Sequence, residues 1–400
     1  MCAFRGFLGD RQGSVAVIFG ITSLILFGAT ALAVDFAMAN RAKSRMQAAA
    51  DAAALTAASL LEASDSERQA RGEAVFLANL DPSIAATLTI SVVDGIVSAA
   101  ADYTMPTNFM RIFERDELQI SVNSASPVVT QGEAEIVLVL DFSDSMNDAN
   151  KHVRMKEAAA KLIDVISDNG KNSKVKVGLV PFAAMVHVDL DPADIRADVT
   201  WSGCTQDRRH PANTTDEAPS GINDTRWGEV TSPHVCADMA ARGLKVVPLS
   251  SDLSTVKSKL AAMQPYMWTH IALGAEFGYQ LISPGEPFTE GVGYDDERTV
   301  KAFVLLTDGM QTAPGWGADG IKSVANAEQN LLAICSGLKG HGVQVYTIGY
   351  DLTDAATLDR LQTCADSGRY YNAGDVDTGL LASFGAIAQQ IKVTMLRLTK

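Results

Sequence analysis

The 400-residue chain has no GxxxxGK phosphate loop and no CxxC pair, and its six histidines are scattered without zinc-like spacing. P-loop nucleotide hydrolysis, dithiol redox chemistry and structural zinc are therefore poor fits. Basic charge is also short: 33 Lys and Arg face 47 Asp and Glu, for a net charge of −14. A surface this acidic repels phosphate backbones, which argues against nucleic acid as a partner, but it tolerates divalent cations. Two local absences carry structural meaning. Ser14 to Val34 contains no charged residue, and Asn40 to Ala63 contains neither Gly nor Pro.

The charge-free stretch, SVAVIFGITSLILFGATALAV, is long enough to cross a bilayer as a helix. It reads as an uncleaved single-pass anchor. The competing reading is a signal peptide cut after Ala31-Leu32-Ala33, but apolar cores of secretory signals run only about 7–15 residues. Arg5 and Arg11 precede the span and Arg41, Lys43 and Arg45 follow it, so the positive-inside count does not orient it. Cysteines do. Cys2 stands alone before the span, while Cys204, Cys236, Cys335 and Cys364 follow it. An even number suits an oxidising compartment, which places the bulk of the chain outside the cytoplasm. Of the three possible pairings, Cys204–Cys236 and Cys335–Cys364 are expected; four buried free thiols are the alternative.

Length predicts two or three units, and 47% hydrophobic residues suffice for a sizeable core. Residues 1–62 read as the anchor, spanning about 14–34, and its helical extension, whose alanines suit close packing against either another chain or the next domain. Residues 63–131 read as a small α+β stalk domain, with a hairpin turning at Asp94-Gly95. From 133 to 400, strand-like runs alternate with helical spacing, which predicts a mainly parallel, Rossmann-like sheet flanked by helices. An insertion with two cysteines interrupts the alternation at about 187–250.

Ligands of such folds bind at the carboxyl ends of the strands. The strand IVLVLD ends on Asp141, with Ser143 and Ser145 at alternate positions. VLLTDG ends on Thr307-Asp308, and Thr269 stands in a loop before a helix. Asp141, Ser143, Ser145, Thr269 and Asp308 are hard oxygen donors, suited to Mg²⁺, Mn²⁺ or Ca²⁺. With two carboxylates such a site carries −2, leaving room for a partner's carboxylate. The bland readings are that Asp141 with its serines, or Thr269, merely caps a helix, and that Asp308-Gly309 is a turn.

Two other chemistries fit less well. A strand ending in Asp, with a second ending in Thr307, suggests a haloacid-dehalogenase-like phosphohydrolase. That reaction resembles Asp-x-Asp, and Ser143 cannot serve as its acid. Gly315 to Gly320 matches GxGxxG, but it does not directly follow the strand that ends in Thr307-Asp308.

DFSDSM resembles the metal-ion-dependent adhesion site of von Willebrand factor A domains, with Thr269 and VLLTDGM where that family's threonine and second aspartate loop are expected. The resemblance covers about residues 133–400. It implies that Ser143 and Ser145 bind metal directly, that Asp141 and Asp308 act mainly through water, and that the domain binds proteins and is no enzyme. DRQGSVAVIFGITSL and LAVDFAMANRAKSRMQAAADAAALTAA, with WSGCTQDR, LISPGEPFTEG and LRLTK, are similar to TadE/TadG-like proteins of Flp (Tad) pilus assembly. This implies a bacterial inner-membrane protein, its bulk in the periplasm or at the cell surface, that works in pilus assembly or adhesion. Its partner is another pilus or envelope component, and self-association is open. Two departures stand out: Ile18 occupies the glutamate position of processed pilin-like members, and Asp144 replaces the glycine common between the serines. A structural assembly protein with a vestigial metal site is the remaining alternative.

Overall fold

The structure is a computed structural model that describes residues 12–60, 63–128, 132–230, 233–374 and 378–398. Arg5, Arg11 and Cys2 lie outside the described residues. The chain divides into two compact units, residues 1–130 and 131–400.

The first unit begins with helix α1, Gln12–Ser59, whose 48 residues make a rod of about 72 Å. Its two halves meet different surroundings. From Val17 to Phe27 the large apolar side chains are exposed, Leu24 to 76%. An 18-residue window of this helix has mean hydropathy 2.3, so it is long and apolar enough to cross a membrane. Beyond Asp35 the exposed apolar face gives way to a buried one: Met46, Ala49, Ala50, Ala53 and Ala54 pack with Phe76 of α2 (Asp65–Asn79) and with Leu88, Ala99, Ala101, Ile120 and Val122. The alanine-rich extension is thus covered by its own chain. Small side chains let a helix backbone lie close to a sheet without opening cavities.

Those last residues belong to an antiparallel sheet of β1 (Thr87–Val93), β2 (Ile96–Pro106) and β3 (Glu117–Pro127), in that order. The expected hairpin forms at Asp94-Gly95. Both residues take positive φ, 51° and 72°, as a two-residue type I′ turn requires, and Val93 pairs with Ile96. Helix α2 starts at a side-chain N-cap: Ser64 Oγ accepts from the Glu67 amide at 3.3 Å.

The second unit is a mixed sheet of six strands between two helical layers. Its strands are β4 (Glu133–Asp141), β5 (Val175–Phe182), β6 (Val247–Ser250), β7 (Thr299–Thr307), β8 (Gln344–Tyr350) and β9 (Tyr370–Ala373). They run in the order β9-β8-β7-β4-β5-β6. All neighbours are parallel except β5 and the edge strand β6. Residues on β4 alternate between the layers. Ile136, Leu138 and Leu140 face α3 (Lys151–Ile166), α5 (Leu253–Ala262) and α9 (Gly379–Leu398). Val137 and Val139 face α6 (Ile271–Ile282), α7 (Val324–Gly340) and α8 (Ala355–Cys364). Burial on both faces explains why these strands read as continuous apolar runs. Helix α4, Pro233–Ala241, belongs to the irregular stretch after β5. Disulfides join Cys204 to Cys236 and Cys335 to Cys364, as expected.

Two glycines set the height of α6 above the sheet. A Cβ at Gly274 would lie 2.5 Å from the Phe182 ring, and one at Gly278 2.5 Å from Phe303 and Val139. This close seating brings the loop before α6, with Thr269, to the carboxyl edge of β4 and β7.

Candidate functional site at the carboxyl edge of the sheet

Three adjacent parallel strands end in acids at this edge. Asp141 closes β4, Asp308 follows Thr307 of β7, and Asp351 follows Tyr350 of β8. Asp141 is fully buried. One of its oxygens accepts from the Ser143 amide at 2.8 Å and the other from the Thr307 hydroxyl at 2.6 Å. Burial, and then the charge of Asp308, push its pKa up to about 7. Negative charge is therefore crowded here beyond what the surrounding donors relieve.

The chain then turns, and the Ser145 hydroxyl meets Asp308. Ser145 Oγ donates to Asp308 Oδ1 at 2.6 Å and lies 3.0 Å from Ser143 Oγ. With its proton committed to Asp308, Ser145 accepts from Ser143. Thr269 is buried in the loop before α6. A Cβ added at Gly309 would sit 3.5 Å from Thr269 Oγ1 and 3.6 Å from Ser145 Oγ, so both hydroxyls border one small space that the missing side chain leaves open. The five residues singled out from the sequence thus gather here from three segments, Asp141 to Ser145, the loop at Thr269 and the loop at Asp308.

The loops are tightly cross-braced. The Thr269 amide donates to Thr312 Oγ1 at 3.0 Å, and its carbonyl accepts from the Thr312 and Ala313 amides. Gln311 Oε1 accepts from the Ile271 and Ala272 amides at the start of α6. His270 caps that helix, its Nδ1 accepting from the Leu273 amide at 3.2 Å, which leaves the ring proton on Nε2, facing Asp207 at 3.7 Å. The Asp144 amide donates to the Met267 carbonyl. A rigid cluster of hydroxyls is easier to hold ready for a ligand than a mobile one.

Two residues that sequence reasoning missed complete the electrostatics. Lys151, the first residue of α3, is buried and places its Nζ 2.9 Å from Asp308 Oδ2 and 3.2 Å from Asp351. Burial opposes its charge, but the hydrogen bonds and charges of Asp308 and Asp351 outweigh that and hold its pKa above the ordinary lysine value. The two expected carboxylates are therefore not alone: an ammonium neutralises one face of Asp308 and a third carboxylate stands behind it, which leaves the formal total unchanged. Asp351 was legible as a third strand followed by Asp. Lys151 gave no signal.

In donor chemistry the cluster would suit a hard cation: Ser143, Ser145, Thr269 and Asp308 carry side-chain oxygens, with Asp141 behind them. It differs from an acid-rich metal cage. Among the described residues, no group of three or more His, Cys, Asp or Glu is placed to hold a metal ion. Two large apolar residues stand exposed beside the site among polar ones such as Asp144 and Asn147: Trp268, next to Thr269, is 65% exposed, and Met310, next to Gly309, is 52% exposed. The GxGxxG-like run behaves differently from a phosphate loop. Gly315-Trp316 pairs with Lys322-Ser323 in a two-strand ladder.

Residues 13–60 match the family model described as putative Flp pilus-assembly TadE/G-like. This match covers 48 of the 400 residues, in and just after α1. No curated protein matches the chain. Among solved structures it is similar to the pilus adhesin SpaC from Lactobacillus rhamnosus GG in its open conformation, with 13% identity and a TM-score of 0.40 over 78% of this chain and 34% of that one. Proximal thread matrix protein 1 from the mussel byssus gives 16% identity and a TM-score of 0.35 over 66% and 47%. The adhesive tip pilin GBS104 from Group B Streptococcus agalactiae gives 12% and 0.38 over 65% and 100%. The chain spans about a third of the length of SpaC.

Proposed function

We propose that this is a membrane-anchored component of Flp/Tad-type pilus assembly or adhesion, and that its second unit is a von Willebrand factor A domain binding a partner protein through a divalent cation. The observation that carries the reading is the meeting of Ser145 Oγ with Asp308 Oδ1 beside Ser143 and the Thr269 hydroxyl. Side chains far apart in sequence leave one oxygen-lined space at the edge where such folds bind ligands. Ser143, Ser145, Thr269 and Asp308 would hold Mg²⁺, Mn²⁺ or Ca²⁺, and Asp141 would act through water. When bound, the cation supplies a coordination position for a partner's carboxylate. Trp268 and Met310 supply the apolar contact that makes a single charged anchor specific. The family match at residues 13–60 supports the pilus setting, and the exposed apolar half of α1 supports an anchor that leaves both units outside the cytoplasm, where their disulfides persist. The proposed role is binding, not catalysis: Ser143 stands where a phosphohydrolase needs a second acid.

Isothermal titration of the detergent-solubilised full chain with Mg²⁺ or Mn²⁺ tests this against Asp141→Ala. Heat in the wild type and none in the variant is expected. Equal heats in both would end the metal reading. A second reading has its own observation. Lys151 already supplies a cation to Asp308, so the cluster would be a structural clasp in an assembly protein. In that case neither protein would give heat, and chelator would leave partner capture undiminished.

A further inference from the structure

We infer that the loop Thr107–Asp116 is a second membrane contact, an apolar wedge held at the level where α1 leaves the lipid bilayer. The inference rests on the membrane-anchor reading of α1. Asp35 is the first charge after the apolar run and is buried. Its carboxylate accepts three backbone amides of this one loop: Asn108 at 3.1 Å, Phe109 at 2.8 Å and Met110 at 2.7 Å. One residue of helix advances about 1.5 Å, so the loop backbone is fastened at the end of the span.

Below that fastening the loop is stiff. The Thr107 amide donates to the Asp116 carbonyl, Thr107 Oγ1 donates to the Arg115 carbonyl, and Met110–Phe113 form one 3₁₀ turn closed by Glu114 in the left-handed region, φ 59°. This rigid turn presents its large apolar side chains outward. Ile112 is 75% exposed, Phe113 56% and Phe109 43%, and Phe36 on α1, at the same level, is exposed too. A water-facing turn has no reason to keep three such residues bare. Arg111 and Arg115 flank them, but Glu114 and Asp116 cancel that charge, so apolar insertion into the interfacial region carries the contact, not attraction to anionic lipid. The loop is fastened where the exposed apolar run of α1 ends, and its bare side chains and those of the span suit one occupant, the bilayer.

The test uses the full chain with Cys2→Ser, reconstituted into vesicles of phosphatidylcholine and phosphatidylglycerol. An environment-sensitive fluorophore is attached at Ile112→Cys or, separately, at Leu24→Cys. Both sites are exposed, so neither label perturbs the fold. The wedge predicts that shallow spin-labelled lipid lowers the Ile112 signal by about half while iodide leaves it nearly unchanged. Leu24 responds to deep spin-labelled lipid in the same way. Lipid quenching at Leu24 with iodide quenching at Ile112 overturns the wedge and keeps the anchor. Absence of lipid quenching at both overturns both. Protection of Ile112 from both quenchers means that protein covers the loop, either a pilus partner or a second copy, and also overturns the wedge.

Discussion

The second unit contains two buried charge clusters built on opposite plans. In the stretch after β5, Arg208 is enclosed and every guanidinium nitrogen is used: Nε donates to Glu276 at 2.8 Å, and the others to the carbonyls of Ala212, Thr215, Glu217 and Thr225. Trp227 stacks on it at 4.3 Å and donates to the same Glu276 oxygen. At the strand ends, Asp141, Asp308 and Asp351 share one ammonium and a few hydroxyls, with Trp268 and Met310 exposed nearby. The first cluster replaces a hydrophobic core for a segment with little regular structure. The second leaves carboxylate charge under-compensated beside open surface, which suits binding and does little for stability.

That contrast fails if the two clusters respond alike to mutation. Arg208→Ala leaves Glu276 and several buried carbonyls unpaired, and chemical denaturation of the full chain should show a loss of about 3–5 kcal/mol. Next in size is a pH effect at the other cluster. Asp141 in the folded chain keeps its proton to about pH 7, well above an unfolded aspartate, so folding is favoured at low pH and that advantage is lost as pH rises from about 4 to 7. In chelator, Asp141 should contribute roughly 2 kcal/mol to the difference between denaturation at pH 5 and pH 7.5, and Asp141→Asn should remove that share and leave the share of Glu276, whose carboxyl burial also pushes up to about 7. An unchanged slope in the variant assigns the effect elsewhere.

Smaller effects sharpen the functional side. Trp268→Ala should weaken partner capture by about tenfold or more while moving stability by less than about 0.5 kcal/mol. Lys151→Met removes the built-in cation and should tighten Mn²⁺ binding by roughly tenfold in titration calorimetry. Weaker binding in that variant would make Lys151 a support for Asp308 and not a competitor of the metal. Ser145→Ala should cost at most about 1 kcal/mol of stability yet abolish the metal heat. A large loss of fold there would place the loop with Arg208, among structural clusters.

Several elements were readable from local pattern. The apolar and alanine-rich stretches of α1, the Asp94-Gly95 hairpin and the all-apolar strands β4 and β7 follow from propensity and periodicity within a few residues. So do most of the candidate oxygens, because Asp141, its two serines and Asp308 follow strand ends, while Thr269 stands just before a helix. Lys151 was hidden because its role depends on a packing distance to Asp308, 157 positions away. The Arg208 cluster was hidden because its partners are mostly carbonyls, which every residue carries.

Sequence alone determined where the chain is apolar, where it must be helix or strand, and which side chains have oxygens to offer, since these depend on neighbours along the chain. Tertiary structure decided which of those oxygens meet, that an ammonium stands among them, that the alanines of α1 are covered by their own sheet, and that a loop some 70 residues on is tied to Asp35. Such contacts depend on how the closed chain brings distant segments within a few ångströms, and no local pattern encodes that distance.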